Sequence, residues 1–186
     1  EYRYFTITDP KERIISVAPF RDRVVHHALV NMLEPVYEKR FIHDSYAPRQ
    51  GKGARKAVLC AQSFLRRSGW YLKMDIRHYF ASIDHSVLNG ILARKIKDPF
   101  VLRLCAKIIS RGGDGVGLPI GNLTSQFLAN VYLDIFDHYV KETLGAELYL
   151  RYMDDFCFFS ADKYRLKEYK PAITDFLKNE LHLSLK

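Results

Sequence analysis

The sequence predicts an α+β fold in which helices cover one face of an antiparallel sheet. Apolar residues recur at helical spacing in several segments, and these segments alternate with short runs rich in β-branched and aromatic residues. Two adjacent acids, Asp154 and Asp155, interrupt one apolar stretch, which indicates a hairpin because strand interiors disfavour aspartate. With 186 residues, 48% of them hydrophobic, the chain can bury a core of its own.

Each element follows from a local pattern. Residues 9–12 are of types that favour a turn and are predicted to join the first two strands. Pro35 is predicted to end the first helix, and the two acids indicate a two-residue turn at Asp154-Asp155. A polar loop at 45–53 and a glycine-rich loop at 111–117 separate longer elements. The predicted elements are strands over 4–8 and 13–17, helices over 20–33 and 54–67, a buried strand over 70–76, helices over 86–96, 99–110 and 123–143, hairpin strands over 148–150 and 156–159, a helix over 164–181 and the start of a strand over 182–186.

Composition narrows the class of protein. Lysine and arginine outnumber the acids by 29 to 21, and a net charge of +8 is typical of a surface that binds a polyanion. No apolar run approaches the roughly 18 residues that span a bilayer, and no secretory signal opens the chain, so we expect no membrane contact. Three cysteines are too few for a disulfide framework, which favours a reducing cytoplasm. Because both ends fall inside predicted strands, we expect a fragment of a longer protein.

Three acids carry the candidate chemistry. Asp75 ends one predicted strand, and Asp154 and Asp155 form the tip of the hairpin. If these strands are neighbours, the carboxylates can hold two divalent ions about 3.5–4 Å apart, the arrangement used in phosphoryl transfer. Adjacent carboxylates raise each other's pKa, and protonation or Lys73 could relieve that repulsion instead of a metal. A solvated acidic turn is the alternative interpretation.

Three ordered motifs resemble the central motifs of reverse transcriptases. They are KMDIRHYF at 73–80, LPIGNLTSQ at 118–126 and YMDD at 152–155. Upstream, RII at 13–15, DRVV at 22–25 and SYAPR at 45–49 resemble the fingers of the group II intron-like bacterial branch. The resemblance covers nearly the whole chain. It implies an RNA-directed DNA polymerase with fingers over 1–70 and a palm of ferredoxin-like topology over 71–186, without the primer grip and thumb, so that the isolated fragment should be weakly active or inactive.

The resemblance also assigns the metal site. It implies that Asp75 and Asp154 ligate two Mg²⁺ ions, for which Mn²⁺ can substitute, with Asp155 in support. The backbone carbonyl of Ile76 would complete the shell. The implied partners are an RNA template, a DNA or RNA primer, dNTPs and a basic accessory protein.

Binding roles follow from the same resemblance. Arg13, with Lys11 nearby, corresponds to the hairpin that grips the triphosphate, and Phe80 to the aromatic gate that clashes with a 2′-hydroxyl. From the residues alone, Phe80 equally fits a core position and Arg13 a solvated strand charge. The full set assigned to the nucleotide is Lys11, Arg13, His78, Tyr79, Phe80, Ile120 and Gly121. The basic loop residues Arg49, Lys52 and Arg55 are predicted to contact the template backbone, with an ordinary solvated loop as the alternative.

One departure bears on the subfamily. Many reverse transcriptases carry Gln-Gly in the second motif, with Ser-Pro a few residues on, whereas this chain has Ile120-Gly121 and Ser125-Gln126. That pattern resembles the enzymes of diversity-generating retroelements, which copy adenines inaccurately. Retron-type and host-defence relatives, a non-catalytic maturase-like RNA-binding module, and a diguanylate cyclase suggested by GGD at 112–114 are the alternatives.

Overall fold

The computed structural model describes residues 2–8 and 12–186. Those residues form five strands and seven α-helices, and both sheets are antiparallel, so the predicted α+β class is confirmed. The elements are β1 (Arg3–Thr8), β2 (Glu12–Val17), α1 (Phe20–Glu38), α2 (Ala54–Arg67), β3 (Trp70–Asp75), α3 (Tyr79–Ser82), α4 (His85–Lys95), α5 (Pro99–Ile109), α6 (Leu123–His138), β4 (Tyr149–Tyr152), β5 (Asp155–Ser160) and α7 (Lys163–Leu181). None of these helices is both long and apolar enough to cross a bilayer.

The chain divides into two compact units that interleave along the sequence. The first unit comprises 1–39 and 80–131, and the second comprises 40–79 and 132–186. The predicted fingers over 1–70 and palm over 71–186 follow other bounds, and that functional division stays a prediction. Of the predicted turn at 9–12, residues 9–11 lie outside the described residues.

In the first unit, α1 runs further than predicted. The helix continues through Pro35 to Glu38, although proline removes a backbone donor and crowds the preceding turn. The last turn is held by Tyr37, which is buried and meets the ring of Phe127 edge-on at a centroid distance of 5.6 Å. Packing of this aromatic pair therefore outweighs the local effect of the proline.

The loop before α6 docks onto β2 in the same unit. Ser16 donates its backbone N–H to the carbonyl of Ile120 at 2.7 Å, and the Asn122 side chain donates to the carbonyl of Ser16 at 3.2 Å. Gly121 lies between them with φ of 111°, and a Cβ there would come within 2.8 Å of the Ile15 side chain. Only glycine combines that backbone conformation with so close an approach.

The second unit contains a three-stranded sheet in the order β3-β5-β4. Phe156 of β5 packs on Phe136 of α6 at a centroid distance of 5.1 Å, and Phe158 packs on Tyr169 of α7 at 5.5 Å. On the other face of β5, Phe159 meets Phe64 of α2 at 5.6 Å. Helices therefore cover part of both faces, where the sequence predicts one, because β5 carries apolar side chains at successive positions rather than in alternation.

Strand β3 differs from its prediction as a buried strand. It lies at the edge of the sheet, with Tyr71 63% exposed and only Met74 buried. The strand predicted from 182 is reduced to one bridge, between Ile76 and Leu185. Two flanking bonds extend it: Arg77 N–H donates to the carbonyl of residue 184 at 2.8 Å, and the N–H of residue 186 donates to that of residue 75 at 3.0 Å.

Candidate active site

The register of the second sheet brings the predicted acids together. Asp75, the last residue of β3, lies directly opposite Asp155, the first residue of β5. The hairpin turn consists of Met153 and Asp154, one residue earlier than predicted, because Asp155 already pairs with Tyr152. Met153 adopts φ of 56°, which suits the first position of a primed hairpin turn. A left-handed backbone at a non-glycine residue costs about 1–2 kcal/mol, so the surrounding structure must hold this turn in place.

Two lysines offset the charge of these acids. Lys73 Nζ lies 3.0 Å from Asp155 Oδ1, and Lys186 Nζ contacts Asp75 Oδ2. Burial raises the pKa of Asp154, and the negative charges of Asp75 and Asp155 raise that pKa further. Hydrogen bonding to Asp155 raises the pKa of Lys73 in turn. The cluster therefore carries an excess of negative charge, as a cation site requires.

The donor atoms fit divalent cations in kind. The three carboxylates offer hard, partly exposed oxygen ligands of the type that Mg²⁺ prefers. Within residues 2–8 and 12–186, however, no three His, Cys, Asp or Glu side chains are already arranged as a metal site. Lys73 and Lys186 hold two of the carboxylates instead, so metal binding would exchange lysine contacts for metal contacts. Ile76, the predicted carbonyl ligand, is 1% exposed at its bridge to Leu185.

A buried ion pair supports the turn, and sequence reasoning missed it. Arg151 donates to Asp137 of α6 through Nε at 2.8 Å and through Nη2 at 2.6 Å, with both side chains fully buried. Tyr149 donates its hydroxyl to the same carboxylate at 2.7 Å. Burial alone would lower the pKa of Arg151, but Asp137 raises that pKa above the ordinary arginine value. The bidentate geometry is the strong form of a charge-assisted bond.

Arg151 also reaches the acidic turn itself. Its Nη1 donates to the carbonyl of Met153 at 3.0 Å, and its Nη2 donates to the hydroxyl of Ser45 at 3.3 Å. Its backbone also bonds to the same loop. Arg151 N–H donates to the backbone carbonyl of Asp44, and Tyr46 N–H donates to the backbone carbonyl of Arg151, both at 2.9 Å. One side chain thus links α6, the 44–46 loop and the turn that carries Asp154. The available sequence signal was an arginine inside an apolar strand.

The residues predicted to bind the nucleotide are divided between the units. In the first unit, Arg13 is exposed on β2, and the loop of Ile120 and Gly121 bonds to the same strand. Phe80 is half-buried, and its carbonyl accepts from the N–H of residue 118 at 2.8 Å. Lys11 lies outside the described residues.

The other two nucleotide candidates lie in the second unit. His78 is exposed in a turn with φ of 48°. The Tyr79 side chain is 3% exposed, because it belongs to the hydrophobic core, and burial raises its pKa. A contact between Tyr79 and a nucleotide would therefore involve its main chain, and the contact predicted for this residue stays a prediction.

The basic loop uses two of its three predicted template residues internally. Arg49 donates to the carbonyls of Ile42 at 2.6 Å and Ser45 at 3.0 Å, and its guanidinium lies over the ring of Phe41. Lys52 donates to the carbonyl of residue 43 at 2.7 Å, and burial, then the charge of Arg49, lowers its pKa. Arg55 is exposed in the first turn of α2. Arg49 and Lys52 thus shape the loop, and template contact by any of the three stays a prediction.

Comparison with a family description and comparison with individual known proteins indicate the same family. The family description that matches residues 8–186 is "Reverse transcriptase (RNA-dependent DNA polymerase)". The group II intron-encoded protein LtrA of Lactococcus lactis subsp. cremoris is 29% identical over 140 residues, which cover 71% of this chain and 23% of LtrA. Nuclear intron maturase 1, mitochondrial, of Arabidopsis thaliana is 33% identical over 85 residues, covering 46% of this chain and 12% of the maturase.

A solved structure shares the fold. The telomerase of Candida albicans, determined in complex with the TWJ fragment of telomeric RNA, superposes with a TM-score of 0.66 at 13% identity. The alignment covers 100% of this chain and 41% of that chain. The present chain thus spans less than half the length of each of these proteins.

Removal of either partner of the buried ion pair should strongly destabilise the chain. We expect Arg151→Met or Asp137→Leu alone to lower the free energy of unfolding by about 3–5 kcal/mol, because each leaves an uncompensated buried charge. The double variant should be less destabilised than either single variant, since neither charge remains. Urea unfolding followed by circular dichroism measures all three. Lys56→Met, at an exposed lysine, is the control and should change stability by less than about 0.5 kcal/mol. Additive losses in the double variant would contradict this assignment.

The acid cluster should make stability depend on pH through Asp154. Its pKa is raised in the folded chain, so the folded state binds this proton more tightly than the unfolded state does. Asp154 therefore contributes most favourably to stability below the unfolded-state pKa of about 3.9. That contribution is lost as pH rises through the folded-state pKa. Without metal, Asp154→Asn should accordingly stabilise the chain at pH 7 and lose that advantage near pH 4. Chemical denaturation at both pH values measures this, with Asp114→Asn in an exposed loop as the control. An equal effect at both pH values would exclude the electrostatic explanation.

Proposed function

The chain belongs to the reverse transcriptase family, and on this premise we propose that it catalyses RNA-templated DNA synthesis. In this reaction a primer 3′-oxygen attacks the α-phosphorus of a dNTP, and pyrophosphate leaves. The observation that carries the proposal is the juxtaposition of Asp75 and Asp155 across neighbouring strands, with Asp154 in the adjoining turn. Because the chain covers less than half the length of its relatives, substrates and partners of the whole protein belong to the proposal as well.

The acids are proposed to hold two Mg²⁺ or Mn²⁺ ions. Asp75, Asp154 and the carbonyl of Ile76 would be ligands, with Asp155 in support. The ions would activate the attacking hydroxyl and offset charge that develops on the phosphate. Arg151 holds the turn in place through its bond to the carbonyl of Met153, so that Asp154 is presented without reorganisation during the reaction.

The remaining candidate residues are proposed to position the substrates. Arg13, with Lys11, would bind the triphosphate, since a guanidinium matches phosphate oxygens in a bidentate manner. Phe80 would exclude a 2′-hydroxyl, and His78, Tyr79, Ile120 and Gly121 would line the nucleotide site. These residue roles rest on the family motifs.

An RNA template and a DNA or RNA primer are the proposed partners. The fold is shared with a telomerase determined with telomeric RNA, and the intron-encoded relative LtrA supports the same class of template. The net charge of +8 suits a phosphate backbone, and Arg55, with the loop shaped by Arg49 and Lys52, is the proposed contact.

We further propose the subfamily of diversity-generating retroelements, with a basic accessory protein as partner. Ile120 replaces the amide of the common Gln-Gly motif, and an apolar group beside the nucleotide removes one polar contact. A pocket that reads fewer polar groups discriminates less sharply, which supports inaccurate copying of adenines. Retron-type and host-defence enzymes are the alternatives within the family.

A maturase-like RNA-binding module is the second candidate function. The similarity to the Arabidopsis maturase favours it. If the chain is such a module, it should bind RNA in a salt-sensitive manner and catalyse no DNA synthesis. The diguanylate cyclase alternative has less support, because its GGD sequence lies in the loop between α5 and α6, not between paired strands.

Metal-dependent nucleotide addition tests the proposed reaction. The longer protein should add dNTPs to a primer annealed to RNA when Mg²⁺ or Mn²⁺ is present, and this chain should add a single dNTP at a low rate. In the longer protein, Asp154→Ala should reduce the rate at least about a hundredfold by removing transition-state stabilisation. Single addition is the appropriate measurement for this chain, since sustained synthesis needs parts of the relatives that this chain does not cover. RNA binding without any addition, in this chain and in the longer protein, would favour the maturase-like module.

Restoring the amide tests the subfamily. We expect Ile120→Gln to reduce misincorporation opposite template adenine by about tenfold, since one recovered polar contact contributes about 1–1.5 kcal/mol of discrimination. Ile120→Leu, which stays apolar, is the matched control and should leave the error rate unchanged. Misincorporation is measured by sequencing the products opposite each template base. Equal error rates at adenine in both variants would contradict the role given to Ile120.

A further inference from the structure

A groove in the second unit lies between the start of β3 and the start of α7. Its volume is about 180 Å³, and it is lined on the strand by residues 70–72 and on the helix by Lys163, Leu166, Lys167 and Lys170. Trp70 and Tyr71 are exposed on the strand, and Tyr164 is exposed on the helix. Several exposed aromatic side chains in one patch indicate a surface that meets another molecule.

Two lysines of this groove lie against aromatic rings. Lys163 Nζ lies 4.6 Å from the ring centroid of Trp70, and Lys167 Nζ lies 5.6 Å from that of Tyr164. Within the part of the chain that the structure describes, neither these two lysines nor Lys170 forms an ion pair. Their ammonium groups are therefore available to an anionic ligand.

The neighbouring acids leave the groove positively charged. Asp162 precedes the helix, and its carboxylate accepts the N–H of Tyr164 as the cap of α7. Glu168 directly follows Lys167, so its side chain points about 100° further around the helix. The three lysines fall within about 60° of one another around the same axis. The groove side of α7 therefore carries three positive charges, with one carboxylate at its end.

We propose that this groove binds single-stranded RNA, with a base stacked on Trp70 and the adjoining phosphates paired with the lysines of α7. Surfaces that bind single strands combine positive charge along the backbone with aromatic rings on which bases stack. A base on the ring of Trp70 displaces the ammonium of Lys163, which then pairs with a neighbouring phosphate. An acidic protein segment would match the lysines but would leave the exposed indole ring without a planar partner.

The groove is separate from the candidate active site. Trp70 and Asp75 are the two ends of β3, and five residue steps of an antiparallel strand span about 17 Å. A strand bound at Trp70 therefore leaves the acids accessible. The choice of RNA over DNA rests on the proposed function, whereas the stacking and the charge do not depend on it.

Tryptophan fluorescence tests the stacking. Trp70 is the only tryptophan of the chain, so its emission reports on this groove. Oligouridine should quench that emission in a saturable manner, whereas duplex RNA should not, because its bases are already stacked on one another. Absence of quenching by oligouridine, or equal quenching by oligoglutamate, would overturn the proposal. Tighter binding of oligodeoxyuridine would overturn the choice of RNA.

The salt dependence of the same titration tests the lysines. Each phosphate that a protein neutralises on a single strand adds about 0.7 to the slope of log affinity against log salt concentration. Lys163→Ala, Lys167→Ala and Lys170→Ala together should therefore lower the slope by about 2, while Trp70 is kept as the reporter.

A second triple variant is the matched control for that measurement. Arg94→Ala, Lys95→Ala and Lys97→Ala together remove the same charge from exposed positions of the first unit, and the slope should stay unchanged. Circular dichroism confirms that both triple variants remain folded. Equal reduction of the slope by the two variants would overturn the proposal.

The two assignments fail separately. Quenching of Trp70 in a protein that adds no nucleotide would support the groove and contradict the proposed polymerase. Nucleotide addition without quenching would support the polymerase and contradict the groove.

Discussion

The fully buried ion pair between Arg151 and Asp137 holds together the parts that form the candidate site. The same guanidinium bonds to the carbonyl of Met153 and the hydroxyl of Ser45, so that α6, the 44–46 loop and the acidic turn share one anchor. A buried charge pair adds little net stability compared with apolar packing, but loss of either partner leaves the other charge buried and uncompensated. We infer that the pair between Arg151 and Asp137 favours this one arrangement of the turn for that reason. The left-handed backbone of Met153 needs such an arrangement, because its conformation is unfavourable in isolation.

In the acid cluster, the side chains that the proposed function requires lower the stability of the folded chain. Asp154 is partly buried beside Asp75 and Asp155, and each of these neighbours opposes its ionisation. Lys73 and Lys186 relieve part of the repulsion without removing it. Natural proteins retain such destabilising groups where activity requires them. We interpret the lysines as counter-charges for the metal-free chain, whose contacts a divalent cation would replace.

The sequence predicted elements with strong local signals better than it predicted contacts between distant residues. The bounds of α2 were predicted as observed, and α7 was predicted to within one residue, because their apolar periodicity and flanking loops agree. The end of α1 was wrong because Tyr37 packs on a residue ninety positions away, a contact that no local pattern reveals. The hairpin turn was misplaced by one residue because Asp155 pairs in the ladder despite its low strand propensity. The supporting role of Arg151 was also missed, because its partner Asp137 lies on another element, α6, and no local pattern reveals that contact.

Divalent-ion binding at the acids is the most direct test of the central claim that Asp75, Asp154 and Asp155 form a metal site. Anomalous diffraction from crystals soaked in Mn²⁺ locates the ion without reference to activity. We predict a manganese peak bound by Asp75 and Asp154, with the amino groups of Lys73 and Lys186 withdrawn from the carboxylates. Absence of a peak at these acids, with both lysine contacts intact at saturating Mn²⁺, would contradict the assignment.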